Sequence, residues 1–362
     1  MHETNRTYGG AGFSWLPKRV AADKMYATEY SLRETMMRCK QETGSALPRL
    51  LWVLALLACG SCAPVGSSRP YAGPKEMPAA VLAYYDYPKR PIEATVKTKA
   101  QKKRYDILQI EFPSALNVFG DENIKIDYYA PKEPGRRPTV LMLPIAGGID
   151  FSVESFARFF VAHGINCALV HNRKVKIEET TSAEQVEAYF RQTVLDNRQV
   201  LDYLVTRPDV DPNRLGCLGL SLGGIKTSLI AAVDRRIRCA VLGLAGGSMA
   251  DIALHSKEKG LEDYVRELLA MGVEPELIYG ELKEKVQTDP LRLGPYLDAR
   301  TTLLFLAGFD RVVPTWTGKQ LREAIGGPKT IYLLAGHYTS FLYLPYAQWE
   351  SLFFVKKQFH MK

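Results

Sequence analysis

The chain has 362 residues, 46% of them apolar and 24% charged, with a formal charge of +8. This is ordinary globular composition, enough for one large α/β domain plus extensions. Residues 1–58 carry eight Lys/Arg against five Asp/Glu, and the rest of the surplus is too diffuse to mark a nucleic-acid partner.

The first readable element is an address. Leu50-Leu51-Trp52-Val53-Leu54-Ala55-Leu56-Leu57-Ala58 is uncharged and apolar. It is short for a membrane span and the right size for the hydrophobic region of a signal peptide. Arg38, Lys40 and Arg49 supply the positive flank. Leu56-Leu57-Ala58-Cys59 resembles a bacterial lipobox, which implies lipidation at Cys59, export, and a lipid-anchored protein of the cell envelope. Cleavage near Ala58 to give a soluble secreted protein, and an uncleaved anchor, are the alternatives. A signal peptide over 36–58 leaves a long stretch ahead of it, and Met36 and Met37 stand just before Arg38. Translation is therefore expected to start at one of these two, with 1–35 an upstream over-call.

Residues 59–106 read as a tether and lead-in, with a Pro/Gly/Ser-rich part over 63–78. The dense basic run Lys97–Arg104 reads as a solvated lead-in to the first strand, with anionic lipid headgroups as the alternative partner. The main domain is expected over 107–362. Ile107–Phe112 and Ile124–Tyr129 alternate like an antiparallel edge hairpin. Continuous apolar runs follow at Thr139–Leu143, Asn166–Val170, Leu215–Leu218, Cys239–Leu244, Thr301–Leu306 and Thr330–Leu334, as in a parallel sheet buried on both faces. Helices are predicted at Val153–Ala162, Ala183–Val205, Leu222–Val233, Pro314–Ile325 and Tyr346–Phe359, with a small helical cap insertion at about 248–297. A surface excursion is the other reading of that insertion. The fold class is α/β: a mostly parallel sheet with helices on both faces.

The cysteines do not form a framework. Cys39, Cys59 and Cys62 fall in or beside the signal region, while Cys167, Cys217 and Cys239 sit in apolar strands as buried thiols. No Cys/His spacing suggests a metal, and no cofactor is implied.

The chemistry is expected at Gly219-Leu220-Ser221-Leu222-Gly223, where an apolar strand turns into a helix. A serine on such a turn is pushed out at the sheet top, and a Cβ two residues before or after would crowd it. The free amides of the helix start lie where an oxyanion would form. A serine nucleophile needs a base and an acid to orient that base. Asp310 follows the strand Thr301–Leu306 and His337 follows Thr330–Leu334, each at the edge where α/β sheets place their sites. His171 ends a strand and could line the pocket; His163 reads as a helix cap, and His255 lies in the insertion. Asp289 and Asp298 precede the strand and read as turn or helix-start residues. Tyr84, Tyr85, Tyr87 and the tyrosines near Tyr338 read either as stacking groups for an aromatic or sugar or as core aromatics. One oxyanion donor would be the Leu222 amide, and the other should come from Pro144-Ile145-Ala146-Gly147-Gly148.

Leu218–Gly224, Gly308–Pro314 and Gly336–His337 together resemble the α/β-hydrolase superfamily, most of all its dienelactone-hydrolase-like and prolyl-oligopeptidase-like serine hydrolases. The resemblance covers about residues 107–360. It implies the α/β-hydrolase fold, a triad of Ser221, Asp310 and His337, and oxyanion donors at Leu222 and Ala146. Two departures stand out. Many members have His-Gly where this chain has Pro144-Ile145, and dienelactone hydrolases proper use cysteine where this chain has Ser221. The expected activity is cleavage of a carboxylic ester through an acyl-enzyme, on a small-molecule or acyl-ester substrate. A peptidase or acyltransferase on the same triad, or a non-catalytic binding protein that keeps the fold, are the alternatives.

Overall fold

The computed structural model describes residues 70–174 and 182–361. The expected upstream segment 1–35, the signal peptide 36–58, Cys39, Cys59, Cys62 and the start of the tether lie outside the described residues.

Nine strands form one sheet among the described residues, in the order β1-β2-β3-β5-β4-β6-β7-β8-β9. In chain order they are β1 (Thr95–Gln101), β2 (Tyr105–Pro113), β3 (Asn123–Pro131), β4 (Arg137–Leu143), β5 (Asn166–Val170), β6 (Val210–Leu220), β7 (Ile237–Gly243), β8 (Thr302–Ala307) and β9 (Lys329–Leu333). β1, β2, β3 and β5 pair antiparallel, and β5, β4 and β6 to β9 pair parallel. The parallel strands contain the continuous apolar runs, and those runs are buried along nearly their whole length, while the first half of β6 is largely not. Helices cover both faces. Val194, Leu201, Leu229 and Ile230, from Ala183–Leu204 and Leu222–Val233, pack in one core. Phe156, Phe160, Leu352 and Val355, from Phe151–Ala162 and Leu344–Gln358, pack in the other.

The helix starts follow capping rules. Ser182 and Gln185 bond reciprocally ahead of Ala183–Leu204, and the Asp150 carboxylate accepts the Val153 amide ahead of Phe151–Ala162.

The folded unit begins earlier than residue 107. The basic stretch expected as lead-in is mostly β1, an edge strand exposed along almost all its length. Its lysines suit an edge, because charge there discourages another strand from adding on. Tyr85 and Tyr87 are buried in the first core, so they are core aromatics. Glu187 gathers this region: it accepts from Tyr84 Oη (2.9 Å), the Thr288 amide (2.7 Å) and Thr288 Oγ1 (2.6 Å). Burial pushes the Glu187 carboxyl up against those hydrogen bonds.

The insertion consists of Met249–His255, Lys259–Ala270, Pro275–Lys285 and Pro290–Leu293. Ser256 Oγ donates to Val312 O (2.6 Å), and the Lys257 amide donates to Arg311 O (2.7 Å). The insertion therefore touches the loop after β8 at its near end, while Thr288 ties its far end to Ala183–Leu204.

At the other side of the sheet, the Asp127 side chain on β3 is only 1% exposed, with Lys99 Nζ at 2.6 Å and His171 Nε2 at 3.3 Å. Burial works to raise its carboxyl, but His171 and Lys99 outweigh burial and hold it below its ordinary value. Asp127 thus binds fewer protons folded than unfolded, so its contribution is present above the unfolded carboxylate range and lost as pH falls through it. Asp127→Asn should cost about 1–2 kcal/mol of urea-measured stability at pH 7, and the gap should close from about pH 4 downward. An equal gap at pH 3 and pH 7 would contradict this.

One glycine sets how closely the helix Leu222–Val233 meets the loop after β4. A Cβ on Gly223 would lie 2.0 Å from Leu143 O and 2.8 Å from Pro144 O, both backbone atoms. Gly223→Ala should therefore lower stability by about 3 kcal/mol, read as the shift of the denaturation midpoint. A loss under about 0.5 kcal/mol would show that the contact is soft.

Candidate active site

The loops after β4, β6, β8 and β9 converge at the carboxyl edge of the sheet. β4 lies where the chain order turns back, with β5 on one side and β6 on the other, which is the customary crevice of an open α/β sheet.

Ser221 sits between β6 and the helix Leu222–Val233 at φ 54° and ψ −122°. A residue with a side chain is strained there, at a cost of about 1–3 kcal/mol. Two backbone bonds hold the turn: the Ser221 amide donates to Gly243 O (2.8 Å), and Ser221 O accepts the Ile225 amide (3.0 Å). The turn is also too tight for a side chain at Gly219, where a Cβ would lie 2.2 Å from Gly223 O.

The structure brings Ser221, Asp310 and His337 together. His337 Nε2 lies 3.0 Å from Ser221 Oγ, and His337 Nδ1 lies 2.7 Å from Asp310 Oδ2. The Asp310 carboxylate is itself fixed, since Oδ1 accepts the Val312 and Val313 amides, both at 2.9 Å. The two loops are also laced to each other: the Gly308 amide donates to Leu333 O and the Phe309 amide to Ala335 O. Asp310 and His337 thus keep their spacing through backbone bonds. With Asp310 accepting at Nδ1, the imidazole keeps Nε2 for the serine, an arrangement able to take the hydroxyl proton.

Ala146 lies in a turn closed by the Gly148 amide donating to Ile145 O (2.9 Å). Gly223 brings the start of Leu222–Val233 against Leu143 and Pro144, so the Leu222 and Ala146 amides belong to neighbouring segments.

The other candidates are accounted for locally. His171 faces Asp127. His163 caps Phe151–Ala162 through Nδ1 and Phe159 O at 2.7 Å, and His255 Nδ1 is 2.9 Å from Asp251 O. Asp289 accepts the Leu291 and Met249 amides, and Asp298 accepts Arg300. Cys167, Cys217 and Cys239 are buried, and burial raises all three thiols.

Sequence reasoning missed two features. One is the apolar mouth that Phe151, 59% exposed and 6.0 Å from the Phe341 ring, makes with Tyr338, which is 72% exposed and was itself readable as a stacking group. These aromatics sit at the ends of the site loops, and exposed large apolar residues in such a place stand out only once the loops meet. The other is a buried polar pair, Asn172 and Lys226, behind the Ala146 turn. Its one signal in the sequence is a lysine among Ile225, Leu229 and Ile230 on an otherwise apolar helix.

No family model matches the chain. A stretch of 48 residues is 42% identical to the Bacillus subtilis (strain 168) protein YtaP, which carries the name of a hydrolase. That stretch is 13% of this chain and 16% of that relative's length. Among solved structures, the acetyl xylan esterase from Paenibacillus sp. R4 superposes with a TM-score of 0.60 at 18% identity, over 78% of this chain and 99% of that one. Acetyl xylan esterase 1 from Thermoanaerobacterium sp. JW/SL YS485 superposes with a TM-score of 0.57 at 17% identity, over 78% and 96%. At such identities the likeness is one of fold, and with the sheet order above it gives the chain the α/β-hydrolase fold.

Proposed function

We propose that the protein is a serine hydrolase that cleaves a carboxylic ester through an acyl-enzyme. The observation that carries this reading is the unbroken line from Asp310 through His337 to Ser221, with the serine on its strained turn. Ser221 Oγ attacks the ester carbonyl carbon while its proton passes to His337 Nε2. The carbonyl oxygen takes the negative charge, which the Leu222 and Ala146 amides stabilise. Collapse breaks the bond to the leaving oxygen, and His337 returns the proton to the departing alcohol. Water then attacks the acyl-serine, again giving its proton to His337, and the acid leaves with Ser221 restored. Asp310 stays ionised and stabilises the imidazolium.

Two further supports bear on substrate and branch. The exposed aromatic mouth suits the apolar part of an ester or the face of a sugar. The fold neighbours named as acetyl xylan esterases make a short acyl group the first to try. The motifs Leu218–Gly224, Gly308–Pro314 and Gly336–His337 support a dienelactone-hydrolase-like or prolyl-oligopeptidase-like enzyme. Lipidation at Cys59 would set it on the cell envelope, with the lipid as its membrane partner.

Ser221→Ala should lower ester turnover by about 10³-fold or more with an unchanged melting temperature. A fluorophosphonate should label the wild type and not this variant; equal labelling of both would refute the assignment. Esters should be turned over far faster than matched amides.

A further inference from the structure

Lys226 is 3% exposed, five residues after Ser221 on the helix Leu222–Val233. Lysine is almost never fully buried unless paired. The acid that favours its charge is Asp196, but the Asp196 oxygens are taken by Arg173, Ser114 and Gln192. Burial accordingly pushes the Lys226 ammonium down to about 7. Its Nζ donates to two neutral groups, Tyr189 Oη at 2.5 Å and Asn172 Oδ1 at 2.9 Å. The cavity bordering Lys226 and Asn172 has a volume of about 40 Å³.

The chain of bonds continues to the site. Asn172, two residues beyond β5, donates from Nδ2 to Ile145 O at 2.7 Å. That carbonyl and the Ala146 N–H belong to one peptide unit. The unit is planar and trans, so its C=O and N–H point in opposite directions. The Gly148 amide is the second donor on the same oxygen, at 2.9 Å. Two donors on one carbonyl fix the plane and polarise it, which strengthens the N–H on its other edge.

We propose that Asn172, clamped by Lys226, is a positioning residue that orients the Ile145–Ala146 peptide so that its N–H meets the oxyanion formed at Ser221. Lys226 and the Leu222 amide share one rigid helix. The clamp therefore references the second oxyanion donor to the element that carries the first. This deepens the reading of the site above and rests on Ser221 being the nucleophile.

The test uses the purified full chain and two variants. Asn172→Leu removes the donor at similar volume, and Lys226→Met keeps the buried stem but removes the clamp. Each is assayed on p-nitrophenyl acetate, with kcat expressed per fluorophosphonate-titrated site. Each is also titrated with a trifluoromethyl ketone, which places an oxyanion on the serine adduct. Asn172→Leu should lower kcat per site by about 10- to 100-fold with KM within about twofold. Affinity for the ketone should fall by a similar factor. Lys226→Met should move both in the same direction by less, and it carries the test alone if Asn172→Leu does not fold. A lowered melting temperature with kcat per site and ketone affinity within about twofold of wild type would overturn the proposal and leave the pair a purely structural role. Failure of the wild type to be labelled at Ser221 would show separately that the reading of the site is wrong, and the proposal would fall with it.

Discussion

The site depends on how closely the helix Leu222–Val233 begins against its neighbours. Helix, strand β6 and the loop after β4 meet with room for hydrogens only at Gly219 and Gly223. That closeness forces Ser221 to positive φ and lifts its hydroxyl above the sheet, at a cost of about 1–3 kcal/mol. β7 and the helix itself hold the turn in place, because Gly243 and Ile225 bond its backbone on either side. A looser junction would relieve the serine and lose its alignment with His337.

The second requirement is that three loops from separate strands keep their spacing. Backbone bonds do this for Asp310 and His337, through Gly308 to Leu333 and Phe309 to Ala335. Side chains do it for the loop after β4, through Asn172 and Lys226. The two devices differ in cost. A backbone bond between adjacent loops follows from the sheet, whereas a buried lysine opposes its own desolvation. The insertion adds a third brace, since Ser256 and Lys257 bond the carbonyls just after Asp310. Motion of the insertion would reach Asp310 by that route.

Much of this was legible in the sequence. The parallel strands read as continuous apolar runs because burial on both faces removes alternation, and their bounds moved by a residue or two except at the start of β6, which begins at Val210 rather than Leu215. Ser221, Asp310 and His337 were readable because each sits just past a strand whose end is easy to find. β1 was not, because an edge strand exposed on both faces carries lysines and threonines that look like a solvated loop. Tyr84, Tyr85 and Tyr87 stayed open between two readings for a different reason: their partners Glu187, Thr288 and Asp202 lie 103, 203 and 115 positions away. The Asn172–Lys226 pair was invisible for the same cause, since its meaning comes from the Ile145 carbonyl, which the sheet brings within reach. Tyr338 was readable as a stacking group, but its company with Phe151 and Phe341 was hidden because those two lie nearly two hundred residues apart.

The central claim is that Ser221 carries the acyl group. The most direct measurement is rapid acid quench of the wild-type protein with a slowly deacylating p-nitrophenyl ester, followed by peptide mass mapping. If Ser221 is the nucleophile, one acyl mass appears on the peptide holding Gly219–Gly223, together with the burst of nitrophenol, and is absent from Ser221→Ala. Acyl mass on another peptide, or a full burst with none on this one, would contradict it.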